Sequence, residues 1–125
     1  MLVSPRLLVL DDDTAILALL RRYFGGLGWS VEICTAAPDG LSLIDRDPFD
    51  AVICDLNLGP GQVGEGFDVI SHVRRQRPAA AVLLFTASGE GVRAAALRAG
   101  ADEVITKPSP LASLRDATLR AMRKP

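Results

Sequence analysis

The stretch Leu7-Leu8-Val9-Leu10-Asp11-Asp12 is an apolar run that stops abruptly on two acids. Three further stretches repeat the design. Ala51-Val52-Ile53-Cys54 runs into Asp55, Val82-Leu83-Leu84-Phe85 ends at Thr86, and Val104-Ile105-Thr106 ends at Lys107-Pro108. The first three runs are continuously apolar rather than alternating, as strands covered on both faces should be. If the four are adjacent parallel strands, their polar endings lie on one edge of one sheet. Open α/β sheets bind ligands at that edge, outside the carboxyl ends of the strands.

Helical patterns fill the intervals. After Asp13, Ile16, Leu19, Leu20, Tyr23, Phe24 and Leu27 recur at helical spacing, and Gly25, Gly26 and Gly28 close the segment. Asp13 is the expected N-cap of that helix. Val31 to Cys34 reads as a short strand and Ala37 to Asp45 as a second helix. A third helix follows Gly66 and is expected to bury Phe67, Ile70 and Val73. A fourth runs from about Glu90 to Ala99, with Gly100 as its left-handed cap. Ser109 as N-cap and Pro110 at the first helical position open a fifth, along Leu111, Leu114, Thr118 and Met122. Strict β-α alternation predicts an α/β fold, a doubly wound five-stranded parallel sheet with five helices.

Bulk properties fit one domain over residues 1–125, either a complete protein or a domain cut from a longer one. The chain is 49% hydrophobic with a net charge of −1, so charge balance implies neither a nucleic-acid nor a membrane-surface partner. No apolar run is long enough to span a bilayer, and no signal peptide is visible, which points to the cytoplasm. Cys34 and Cys54 lie in strand-like runs outside any C-x-x-C pair, so they read as buried thiols. The basic runs Arg74-Arg75-Gln76-Arg77 and Arg120 to Lys124 read as solvated helix ends. His72, the sole histidine, reads as a solvated surface side chain. Gly59-Pro60-Gly61-Gln62-Val63-Gly64 spells G-x-G-x-x-G. It follows the third strand, however, and no acid for a ribose ends the next one, which argues against a dinucleotide site.

Asp11, Asp12 and Asp55 would repel one another and take up protons unless a cation sat among them. Mg²⁺ suits that need, because it prefers one or two carboxylates plus waters and phosphate oxygens. One carboxylate can then attack phosphorus to form an aspartyl phosphate. Asp55, alone at its strand end, is the best nucleophile. Asp11 and Asp12 are expected to look outward together, as metal ligands or as holders of metal-bound water. Thr86 and Lys107, with Mg²⁺, would neutralise the incoming phosphoryl oxygens.

On these residues the whole chain resembles a response-regulator receiver domain of two-component phosphorelays. The family's acidic pair matches Asp11 and Asp12, its phosphoacceptor Asp55, its hydroxyl Thr86 with Ala87 following, and its lysine Lys107 before Pro108. The resemblance implies a flavodoxin-like sheet of order 2-1-3-4-5, a Lys107–Pro108 bond that is commonly cis, and a Mg²⁺ ligand in the backbone carbonyl of Asn57. It implies a sensor histidine kinase or histidine phosphotransfer protein as phosphodonor, and a switching face on the fourth helix, fifth strand and fifth helix that could also support a homodimer. It implies self-phosphorylation and slow hydrolysis rather than metabolic catalysis. Three features depart from the family: Val104 replaces the usual aromatic three residues before the lysine, Ser109 replaces a frequent Phe, and the loop from Leu58 to Gly66 is about three residues longer. Two other classes fit parts of the pattern. A haloacid-dehalogenase-type phosphatase would use Asp11 as nucleophile, but Ala15 and the lack of a late acidic pair disfavour it. A receiver-like binding module would work without phosphorylation.

Overall fold

The computed structural model describes residues 4–59 and 64–123. Its elements alternate strictly: β1 (Arg6–Leu10), α1 (Thr14–Gly26), β2 (Ser30–Cys34), α2 (Ala37–Arg46), β3 (Ala51–Cys54), α3 (Glu65–Gln76), β4 (Ala81–Thr86), α4 (Gly89–Ala99), β5 (Glu103–Thr106) and α5 (Leu111–Met122). The five strands are parallel in the order β2-β1-β3-β4-β5. This is the doubly wound, flavodoxin-like sheet expected from the sequence.

Alternation along the strands feeds two cores. Leu8, Leu10, Val52, Cys54, Val82, Leu84 and Val104 pack under α2, α3 and α4. Leu7, Val9, Ala51, Ile53, Leu83 and Phe85 pack under α1 and α5. A slip of one residue would exchange these two sets. The register Leu10↔Cys54 and Cys54↔Leu84 therefore aligns the polar residues that follow each strand. Cys34 and Cys54 are buried free thiols, as expected.

Asp13 caps α1 as predicted, accepting from the amides of Ala15 and Ile16. The apolar stripe of α1 is centred differently from the sequence reading. Leu17, Leu20 and Phe24 are its buried line, while Leu19 and Leu27 are exposed. Leu19 lies about 100° around the helix from Leu20, so it borders the sheet instead of covering it. On α3, Val69 joins Ile70 and Val73 in the core and Phe67 is only half-buried. Gly100 takes φ 122° at the end of α4, as its role required. The fifth helix starts one residue later than expected: Pro110, with extended ψ of 140°, occupies the N-cap, and no side chain caps the helix. The Lys107–Pro108 bond is cis. Pro60 to Val63, within both the lengthened loop and the G-x-G-x-x-G stretch, fall outside the described residues.

Two basic residues expected to be solvated are structural ties. The Arg74 guanidinium donates to the carbonyls of Gly100, Pro78 and Ala80 and pairs with Asp102 at 3.0 Å. It thereby joins α3 to the chain entering β4 and β5. Arg77 donates to the carbonyls of Ile44 and Asp45. His72 is likewise not free: its Nε2 lies 2.6 Å from Asp45 Oδ1, linking α3 to α2. These partners come from other elements, which local sequence does not reveal. On α4, Arg93 donates to the Val104 carbonyl of β5 at 3.1 Å. Among the described residues no helix is long and apolar enough to cross a membrane.

Candidate phosphoryl-transfer site

The C-terminal ends of β1 and β3 are held together by the amide of Asp55 donating to the Leu10 carbonyl at 2.9 Å. That bond brings Asp11, which follows β1, beside Asp55, which follows β3. Asp11, Asp12 and Asp55 each offer a carboxylate oxygen, and these oxygens lie within 4.8 Å of one another. Hard oxygen donors this close fit a small divalent cation.

The acids do not look outward together. Consecutive residues at a strand end point to opposite sides, so Asp11 is buried at 2% exposure while Asp12 faces solvent. Asp11 Oδ1 accepts the Asp13 amide at 2.9 Å, and its Oδ2 takes the Lys107 ammonium at 2.7 Å. Lys107 Nζ also lies 3.5 Å from Asp55 Oδ2 and 5.3 Å from the centre of the Phe85 ring. Asp55 Oδ1 accepts the amide of Leu56 at 2.7 Å. One ammonium thus serves two carboxylates.

The titration directions follow from burial together with that count. Burial pushes the Asp11 carboxyl above its usual range, and the bonds from Lys107 and the Asp13 amide offset this only partly. Burial alone would lower Lys107, yet Asp11 and Asp55 together hold its ammonium above the ordinary lysine value. An ion pair would normally depress its acid. Here burial outweighs the one cation that Asp11 meets, whereas Lys107 meets two anions, so both shifts are upward. The three acids and one ammonium leave the site short of positive charge.

Thr86 ends β4 and is buried at 2% exposure. The Lys107 amide donates to its carbonyl at 3.0 Å, so β4 and β5 end in step. Asn57, two residues beyond Asp55, uses its side-chain oxygen to accept the Gly64 amide at 2.9 Å and pins the two described ends of the adjoining loop. Every residue singled out from the sequence for this site therefore stands at the C-terminal edge of the sheet.

The sequence places Gly66 just before α3, whereas the helix begins at Glu65, and this glycine holds the helix against β3. Its amide donates to the Leu56 carbonyl at 2.7 Å, and a Cβ there would run into the backbone of Asp55 and Leu56. The glycine that ends the lengthened loop was the available signal. Beside the site, Ile16, Leu19, Leu20, Phe85, Pro108 and Leu111 line a mainly apolar groove that reaches Lys107.

Residues 7–119 match the family model of the response regulator receiver domain. The chain belongs to this family. It is 38% identical over 120 residues to the transcriptional regulatory protein TcrA of Mycobacterium tuberculosis, covering 95% of this chain and 46% of that one. It thus spans less than half the length of that relative, and 39% of another, the transcriptional activator PfeR of Pseudomonas aeruginosa. Among solved structures, a CheY-like receiver domain from Methanospirillum hungatei superposes with a TM-score of 0.87 at 28% identity, covering 96% of this chain and 94% of that one. A response regulator from Burkholderia pseudomallei, solved with a phosphorylated aspartate and a calcium ion, superposes at 0.84 and 25% identity, covering 92% and 66%.

Proposed function

We propose that this chain receives a phosphoryl group on Asp55 from a phosphohistidine of a sensor histidine kinase or histidine phosphotransfer protein. The observation that carries this reading is the single cluster in which Lys107 reaches both Asp11 and Asp55 while Asp12 completes the acidic group. Asp11, Asp12, Asp55 and the Asn57 carbonyl would hold Mg²⁺, which supplies charge neutralisation for oxygens on phosphorus. The carboxylates fit such an ion by donor type and spacing, and the phosphorylated, calcium-containing relative supports the assignment.

The chemistry of the chain's own groups is short. An Asp55 carboxylate oxygen attacks phosphorus, the P–O bond forms as the P–N bond breaks, and the imidazole leaves with the bonding pair. Lys107 shifts from the carboxylates toward the phosphoryl oxygens, and the Thr86 hydroxyl donates to one of them. Later attack of water on phosphorus returns the carboxylate and releases inorganic phosphate. Occupied by the phosphoryl group, Thr86 and Lys107 favour a second arrangement of α4, β5 and α5, and the partner reads that arrangement.

Intact mass after incubation with acetyl phosphate, with and without Mg²⁺, tests this on the wild type and Asp55→Asn. One added phosphoryl group is expected, dependent on Mg²⁺ and absent from the variant. No adduct on the folded wild type under any condition would refute phosphoryl reception. Steady phosphate release that survives Asp55→Asn but not Asp11→Asn would assign a phosphatase instead.

A further inference from the structure

Among the described residues, one buried side-chain polar atom has no hydrogen-bond partner: the hydroxyl oxygen of Thr106. An unpaired buried hydroxyl is costly, so each one in a native fold calls for a physical reason. The sheet register offers one. On β5, Ile105 packs with the core under α1 and α5, and Val104 with the opposite core. Alternation therefore turns Thr106 to the Val104 side. On β4, Phe85 and Leu84 divide in the same way, so Thr86 faces that side too. The register pairs Thr86 directly with Thr106, and adjacent strands lie about 4.8 Å apart. Two threonines thus stand side by side at the phosphoryl end of β4 and β5. The 3.0 Å bond from the Lys107 amide to the Thr86 carbonyl fixes the backbone between them, so side-chain rotation is the remaining freedom.

We infer that Thr106 is a positioning residue for the phosphorylated state, its hydroxyl gaining Thr86 Oγ1 as partner when Thr86 turns to the phosphoryl group. This rests on the phosphoryl-receiving role proposed above. A hydroxyl has one proton to donate and two lone pairs. Thr86 can donate to a phosphoryl oxygen while accepting from Thr106, and that short chain leaves neither donor unsatisfied. The resting state holds an unpaired hydroxyl that the phosphorylated state satisfies, so Thr106 biases the equilibrium toward the latter. Val104, the buried residue two positions earlier on this face of β5, has no polar atom in its side chain and cannot contribute such a bond.

Thr106→Val removes the hydroxyl at nearly constant volume, Thr106→Ser keeps it, and Thr106→Ala is the smaller alternative should valine not be accommodated. The readouts are the melting temperature without ligand and the affinity for beryllofluoride, a phosphoryl mimic, in Mg²⁺. Thr106→Val is expected to melt about 2–4 °C higher than wild type, because an unpaired buried hydroxyl is gone. Its beryllofluoride affinity is expected to fall about five- to tenfold, the worth of one hydrogen bond. Thr106→Ser should stay near wild type in both. A merely structural threonine would not move the two readouts in opposite senses. Beryllofluoride binding equal in wild type and both non-hydroxyl variants overturns the inference and leaves phosphoryl reception standing. A wild type that neither binds the mimic nor takes up phosphate overturns both.

Discussion

Gly66→Ala tests how α3 is seated against β3. An alanine Cβ at this position would meet the Asp55 carbonyl oxygen, the Leu56 Cα at 2.7 Å and the Leu56 carbonyl oxygen at 3.0 Å. Carbon atoms rest at about 3.5–4.0 Å, and all three obstacles are backbone, so the start of α3 must retreat by roughly 1 Å. The retreat stretches the 2.7 Å bond from the Gly66 amide to Leu56 and loosens Val69 and Ile70 in the core. Overpacking of this kind costs about 1–3 kcal/mol, and a weakened backbone bond adds about 1. We expect a loss of about 3 kcal/mol, equivalent to a melting point lower by roughly 10 °C for a chain of this size. Gly91 supplies the opposite case. It lies within α4, and a methyl group added there would meet nothing within 4 Å, so alanine should gain about 0.5–1 kcal/mol of helix propensity. Urea unfolding followed by circular dichroism compares the three proteins directly. Because Gly66 abuts Asp55, Gly66→Ala should also slow phosphoryl uptake, which Gly91→Ala should not. A Gly66→Ala stability within about 0.5 kcal/mol of wild type would show that α3 is not seated on β3 as described.

Two further outcomes are expected. Mg²⁺ at ten times its dissociation constant should stabilise the fold by about 1.4 kcal/mol, read as a rise in melting temperature, and Asp12→Asn should remove at least half of the rise; an unchanged rise would place the ion elsewhere. Arg74→Ala should cost about 3 kcal/mol in thermal unfolding, because three carbonyls and Asp102 lose a charged donor together. Arg74→Lys should recover less than half of that loss, since one ammonium cannot span those acceptors.

The central strands are readable because their burial on both faces leaves an unbroken apolar run, and a polar residue marks where each leaves the sheet. The same endings expose Asp11, Asp12, Asp55, Thr86 and Lys107, since parallel strands in register carry their terminal residues to one edge. What local sequence cannot show is pairing between elements. His72 meets Asp45 only because α3 lies beside α2, and Arg74 finds acceptors 26 and 28 residues away as well as nearby. The phase of α1 is hidden for a related reason. Leu19 continues a helical repeat as well as Leu17 does, and only the position of the sheet decides which one is covered. The inward turn of Asp11 also needs coordinates. Adjacent acids look equivalent on paper, but strand pleating gives one to the core and the other to water.

The arginine that α4 sends to β5 bears on how the sheet ends. Among the described residues β5 has β4 on one side and no strand on the other, and an open edge is a template on which a foreign strand can add. Arg93 occupies a backbone carbonyl there, and Glu103 on the same strand is engaged by Arg120. The edge strand is only four residues long and fenced by bound charge, a form of protection against edge-to-edge aggregation. Any displacement of α4 would withdraw the Arg93 fence and with it leave the margin of the sheet unguarded.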